Sequence, residues 1–208
     1  MKLSPHFTLA EMVESARARR DPDMWAEQKA PPEATVKNLT RLCTDTLEPL
    51  RELLGGWPLQ INSGWRCPDL NDAIGGSPTS QHKQGTAADI ELVRHWTTGH
   101  SQINVLLERW REIAEAGFAP PPGRMKAEWF VWAVALLHAE ELGINQLIHE
   151  YGDDPWSPKW VHIATTIPPR KPKGEALFIG PWTGAGSNHY ARLNCSDVSD
   201  IVAFLADK

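Results

Sequence analysis

From Glu33 to Leu54 the apolar residues Val36, Leu39, Leu42, Cys43, Leu47, Leu50, Leu53 and Leu54 recur at intervals of three and four. That spacing predicts a helix with one buried face, kinked or locally broken where Pro49 removes a backbone donor, and stopped by Gly55-Gly56. Thr8-Leu9-Ala10-Glu11 has the spacing of a capping box, which predicts a helix from Leu9 to about Arg19. Residues 21–33 lose all periodicity and read as an irregular surface crossing. Leu59 and Ile61 alternate with polar neighbours as a short strand, and a turn or two of helix is expected between Asp69 and Ile74.

Further along, Ala87–Leu92 reads as a strand. Ser101 is placed to cap a helix over Gln102–Ala116, with Ile103, Leu106, Leu107, Trp110 and Ile113 facing inward. The segment Lys126–Leu142 is apolar nearly all round, which predicts deep burial. Gln146–Tyr151 and Lys159–Ala164 read as two strands joined by a loop, a hairpin that would bring Glu150 near Val161 and His162. After Pro168, the stretch 169–173 reads as a stiff basic connector. Beyond it the sequence predicts a strand over Ala176–Ile179, a glycine-rich loop over 180–188, and a terminal helix over Val198–Leu205 capped by Ser196 or Asp197. The domain reading is 1–168 as one unit, with 169–208 an extension packed on or appended to it.

With 208 residues, 41% of them hydrophobic, the chain suits one core. A net charge of -5 gives no electrostatic reason to expect a nucleic-acid or anionic-membrane partner. Cys43, Cys67 and Cys195 are far apart and odd in number, so they read as free thiols of a reducing compartment. No run reaches the roughly 20 apolar residues of a membrane span, and the first residues hold none of secretory length. The expectation is therefore synthesis in a cytoplasm, with no membrane partner.

The candidate chemistry lies in Ser80-Gln81-His82-Lys83-Gln84-Gly85-Thr86-Ala87-Ala88-Asp89. An imidazole and a carboxylate stand seven positions apart, with small residues between them that let backbones approach. Both groups are zinc donors, and a catalytic zinc site takes three protein ligands plus an open position. Taken singly, His82 or Asp89 would be a solvated loop residue. The whole pattern Ser-x-His-x-x-Gly-x-Ala-x-Asp is expected by chance on the order of once in ten thousand chains of this length. A third donor is His162, which alternates out of a strand whose Val161 and Ile163 face the other way. His138, inside an apolar helix, reads instead as a satisfied core or boundary histidine. Arg66 follows a buried strand in Ser63-Gly64-Trp65-Arg66, where a guanidinium could receive a carboxylate in bidentate fashion. Of Trp65, Trp156 and Trp160, one is expected to line the site.

These motifs, together with Trp160-Val161-His162 and the opening Leu3-Ser4-Pro5-His6-Phe7-Thr8-Leu9-Ala10-Glu11, resemble the zinc peptidases of bacterial cell walls. That group includes D-alanyl-D-alanine carboxypeptidases, D-alanyl-D-alanine dipeptidases and phage L-alanyl-D-glutamate endolysins, and the likeness is to the carboxypeptidase-like branch of phages and prophages. The resemblance spans roughly residues 3–165. It implies an α+β fold with a small antiparallel sheet carrying the metal site, backed by helices. It further implies a Zn2+ cofactor on His82, Asp89 and His162, with Arg66 holding a substrate carboxylate and Ser80 hydrogen-bonding the substrate. The implied partner is a peptidoglycan stem peptide, cut by a monomer that reaches the wall on phage lysis. One departure stands out. Much of that family has an acidic general base three positions before the last histidine, where this chain has Lys159. Glu150, across the hairpin, is the substitute, with Asp153 and Asp154 as weaker candidates. The rival reading, supported by Lys159, is an inactive zinc-stabilised wall-binding or virion structural protein.

Overall fold

A computed structural model describes residues 1–93, 100–117, 119–121, 123, 124, 126–167, 175–179, 183, 191–194, 201–203 and 205. Helix α1 (Leu9–Val13) opens with the capping box intact: the Thr8 hydroxyl accepts from the Glu11 N–H, and the Glu11 carboxylate accepts from the Thr8 N–H at 2.8 Å. The helix ends at Val13 rather than near Arg19 because tertiary partners take its last carbonyls. Trp65 N–H bonds Met12 O at 2.8 Å and the Gln28 amide bonds Val13 O at 3.0 Å. Residues 21–33 are not an irregular crossing, since α2 (Pro22–Gln28) forms there, capped by the Asp21 carboxylate with proline in its first turn.

The long apolar stripe forms α3 (Glu33–Arg41) and α4 (Glu48–Leu53), joined by a π turn over Leu42–Leu47. The disruption expected at Pro49 takes that form: the Glu48 N–H bonds Cys43 O, one residue further back than in an α-helix. Helix α5 (Pro68–Ala73) follows β1 (Leu59–Ser63), and α6 (His100–Glu115) begins one residue before Ser101, which therefore lies in its first turn rather than capping it. Its inner face is narrower than the spacing suggests. Ile113 is buried and Leu106 and Trp110 pack on the core, but Ile103 and Leu107 are exposed. Helix α7 (Ala127–Leu137) is shorter than expected, and Trp129 to Leu136 are all buried as its all-round apolarity predicts.

The sheet has six strands in the order β1-β2-β4-β3-β5-β6, with β2 Ala87–Leu92, β3 Ile144–Glu150, β4 Trp160–Thr165, β5 Glu175–Ile179 and β6 Ala191–Asn194. The first four are antiparallel; β5 runs parallel to β3, and β6, which the sequence did not suggest, pairs antiparallel with β5. The architecture is α+β. One face of the sheet presents Ile90, Val161, Ile163, Leu147 and Phe178 to the helices, where Trp132 of α7 packs on Phe178 at 5.0 Å between ring centres. The connector 168–174, the glycine-rich loop apart from Thr183, and the caps Ser196 and Asp197 lie outside the described residues; Ile201 and Leu205 are helical and buried. Among the described residues no helix is long and apolar enough to cross a membrane.

Gln28 ties this scaffold together. It is fully buried, its amide N–H groups bond Val13 O and Trp65 O (2.8 Å), and its carbonyl accepts from Cys67 N–H at 2.8 Å. Replacing it with an apolar residue strands three buried backbone groups. We expect Gln28→Met to lower unfolding free energy by about 2–4 kcal/mol in urea titrations; a change within about 0.5 kcal/mol would show that water replaces the amide.

Candidate active site

The opposite face of the sheet carries a row of side chains fixed by strand register. Ser63 pairs with Asp89, Asp89 with His162, His162 with Ile148, and Ile148 with Leu177, so five strands each contribute one residue. Directly opposed residues share a face. A bulge between Ile61 and Ser63 is what brings Ser63 opposite Asp89. In the adjoining row Trp160 pairs with Glu150 and Glu150 with Ile179. Glu150 is thus a diagonal neighbour of His162, roughly 7–8 Å away between α-carbons.

His82 arrives from a 3-10 turn (Gln81–Gln84) that ends at Gly85, whose φ is +69°. A Cβ at Gly85 would stand 2.8 Å from Thr35 Cγ2 and 2.9 Å from Thr35 O, so the turn needs glycine both for its dihedral and for its contact with α3. The segment before it is equally tight, since a Cβ on Gly64 would fall 2.5 Å from Met12 O. Gly64 O accepts from His82 Nδ1 at 2.6 Å. A carbonyl can only accept, so Nδ1 carries the proton, and in the neutral ring Nε2 presents its lone pair to the site.

That lone pair faces Asp89 Oδ1 at 3.2 Å and His162 Nδ1 at 3.2 Å, and these two atoms are 2.8 Å apart. All three side chains are buried. Two ligands 2.0–2.2 Å from a tetrahedral ion lie about 3.3–3.6 Å apart, a spacing these three atoms would reach by a small outward shift. The donor chemistry fits as well. Two imidazoles and a carboxylate form a group able to hold a metal ion. The other Asp89 oxygen is taken by Arg66 Nη2 at 2.6 Å, while Arg66 Nε donates to Ser63 Oγ at 2.8 Å. Burial opposes ionisation of Asp89, yet the His82 and His162 rings outweigh it and hold the carboxyl well below the usual carboxylate range. His162 Nε2 is buried without a hydrogen-bond partner.

Glu150 is nearly buried beside an apolar cluster of Ile148, Leu177 and Ile179. Desolvation by that wall, reinforced by the charge of Asp89, pushes its carboxyl up to about 7. Its Oε2 accepts from Trp160 Nε1 at 2.7 Å. The other acids expected nearby are placed differently. Asp154 is engaged by Trp156 N–H at 2.8 Å and by Arg124 at 3.2 Å, and Asp153 is exposed. The Lys159 side chain is also exposed, and its N–H closes the hairpin on Glu150 O at 2.9 Å. Ser80, half-buried before the 3-10 turn, makes no side-chain hydrogen bond among the described residues.

Of the three tryptophans, only Trp160 stands beside Glu150. Trp65 is core, with its indole N–H on Lys83 O at 3.2 Å, and Trp156 packs against Trp129. His138 bridges Glu112 and Glu141 at 3.2 and 3.1 Å, a boundary histidine as expected. His149 is buried on the helical face, donates from Nε2 to Pro155 O at 2.9 Å, and is pushed by burial down to about 4. It fixes the loop that follows Glu150. Local sequence pattern does not by itself reveal the Gly64 carbonyl, the Arg66–Asp89 contact, Gln28 or the Trp160–Glu150 bond. The alternation of Glu150 with Ile148, and of Trp160 with His162, was the available signal for the last.

A family model described as Peptidase M15 matches residues 5–119, more than half of the chain. The matched span includes Arg66, Ser80, His82 and Asp89; the fold brings His162 and Glu150, from beyond it, to the same face. No curated protein matches the chain. The matched span, together with a buried His/Asp/His group able to hold a metal, leads to one conclusion: the chain belongs to the Peptidase M15 family.

Proposed function

We propose that the protein is a zinc-dependent peptidase that hydrolyses a peptide bond in the stem peptides of bacterial peptidoglycan. The observation that carries this reading is the buried His82, Asp89 and His162 group able to hold a metal, with the Glu150 carboxyl on the same sheet face one row away. A general base works best when its pKa lies near the operating pH. Zinc held by the three ligands would supply a Lewis acid that polarises a carbonyl and acidifies a water.

The chain's own groups would do the rest. Glu150 takes a proton from the attacking water and returns it to the leaving amine. Gly64 O keeps His82 in the tautomer that offers Nε2, and Arg66 keeps Asp89 turned inward. The Nη1 of Arg66 has no partner among the described residues, so the guanidinium can hold Asp89 and still present N–H groups to a substrate carboxylate. The Ser80 hydroxyl is available to the substrate's backbone. The stem-peptide substrate rests on the resemblance of the motifs to wall peptidases. Whether the enzyme removes a terminal D-alanine or cuts within the stem is read from its products.

Digestion of purified peptidoglycan by the zinc-loaded protein, with fragments identified by mass, tests the reading. Wild type is expected to release alanine or one defined stem fragment. Glu150→Gln should lose about 10²–10⁴-fold in rate while still binding zinc, whereas His82→Ala should bind no stoichiometric zinc. Undiminished activity in Glu150→Gln would remove it as the base. No cleavage by folded, zinc-bound wild type would favour a wall-binding or structural role.

Glu150 also sets a pH dependence of stability in the chelated protein. Its folded value of about 7 lies above the ordinary 4.5, so between these pH values the folded state holds a proton that the unfolded state has released. Stability should therefore fall as pH rises from 4.5 to 7 and level off above. Relative to Glu150→Gln, wild type should lose on the order of 3 kcal/mol across that window in urea unfolding with chelator present. Parallel curves for the two proteins would contradict the raised value.

A further inference from the structure

Building on the reading of Glu150 as the base, we propose that Trp160 is its positioning residue, with Tyr151 as the clamp that holds the indole in place. Register puts Trp160 directly opposite Glu150 and two residues before His162, on the face that carries the site. An indole N–H can only donate. Here it donates to Glu150 Oε2 at 2.7 Å, and Oε1 makes no hydrogen bond among the described residues. One carboxylate oxygen is anchored and the other is left to exchange a proton.

Tyr151 packs on the Trp160 ring of this pair. Successive side chains on a strand alternate, so an extended Tyr151 would point to the helical face, away from Glu150 and Trp160. Instead its φ is +52°, the only positive φ at a non-glycine among the described residues. That conformation places its ring 5.3 Å from the Trp160 ring, while its N–H bonds Ile179 O at 2.8 Å. A left-handed position is ordinarily filled by glycine or asparagine. The neighbouring glycine is not interchangeable with it, because a Cβ on Gly152 would lie 2.6 Å from Ser157 O and 2.9 Å from His149 Cε1. A tyrosine 40% exposed at a strained backbone position is not needed for the turn or the core. What it does is close the indole against the base.

The test uses zinc-loaded full-length protein and the purified muropeptide that wild type cleaves. Trp160→Phe keeps an aromatic ring beside Tyr151 while removing the N–H along with the pyrrole part of the indole, so kcat should fall about tenfold or more with KM within twofold. Tyr151→Gly relieves the left-handed backbone, so its Tm should equal or exceed that of wild type while kcat falls severalfold. A purely structural tyrosine would give the reverse. Independently of turnover, the indole N–H resonance lost in Trp160→Phe should move in Glu150→Gln in ¹H–¹⁵N spectra. An active wild type with unchanged kcat in Trp160→Phe, or a Trp160 resonance indifferent to Glu150→Gln, overturns this proposal alone. A wild type that cleaves no muropeptide overturns the peptidase reading and the role of Trp160 with it.

Discussion

Three side-chain atoms from three separate elements, His82 Nε2, Asp89 Oδ1 and His162 Nδ1, are held within 3.2 Å of one another by buried residues that could hold a metal ion. The protonated edge of His82 is turned away from the others and committed to Gly64 O at 2.6 Å, which leaves Nε2 facing them. Arg66 lies on the far oxygen of Asp89 and offsets part of its charge, but it does not enter the cluster. The convergence of Nε2, Oδ1 and Nδ1 is therefore the constraint around which the rest of the molecule is arranged. A divalent ion meets it more completely than a proton, which can bridge only one pair at a time.

Much of the N-terminal half serves this cluster at one remove. Helix α1 stops early so that Met12 O can receive Trp65 N–H, and Gln28 fastens the backbone at Trp65 and Cys67 from the other side. Between those fixed points lies Arg66, which grips Asp89 and Ser63. The close approach of Gly64 to Met12 leaves no space for a side chain. The carbonyl that selects the His82 tautomer thus sits in a strap bonded on both sides. On the other flank, Ile148, Leu177 and Ile179 dry the surroundings of Glu150, and His149 pins the following loop through Pro155. Rigidity on one side and low polarity on the other would suit the metal-and-base chemistry proposed for this face.

The placement of the candidate site residues was more legible in the sequence than the connections between them. His82, Asp89 and His162 could be named because strand alternation and a tightly spaced motif put their side chains on definable faces, and register then brought them together. The proximity of Glu150 to His162 could be expected from the length of a hairpin. Gln28 could not: its partners are backbone groups 15, 37 and 39 residues away, and nothing local marks a glutamine as buried. Periodicity likewise placed Ile103 and Leu107 on the inner face of α6, where the structure leaves them exposed, because spacing defines a stripe but not how much of it a neighbour covers. The early end of α1 has the same origin, since local propensity continued where tertiary hydrogen bonds intervened. The parallel strand β5 was readable as a strand, but its direction depends on a crossover that pattern alone does not encode.

The most direct measurement is anomalous diffraction at the zinc edge from crystals of the zinc-loaded protein. A single full-occupancy peak is expected about 2.0–2.2 Å from His82 Nε2, Asp89 Oδ1 and a His162 nitrogen, with His82 Nδ1 still on Gly64 O and Arg66 still on Asp89. No peak at that position, or zinc held by other residues while His82 and His162 pair with Asp89 unaided, would contradict it.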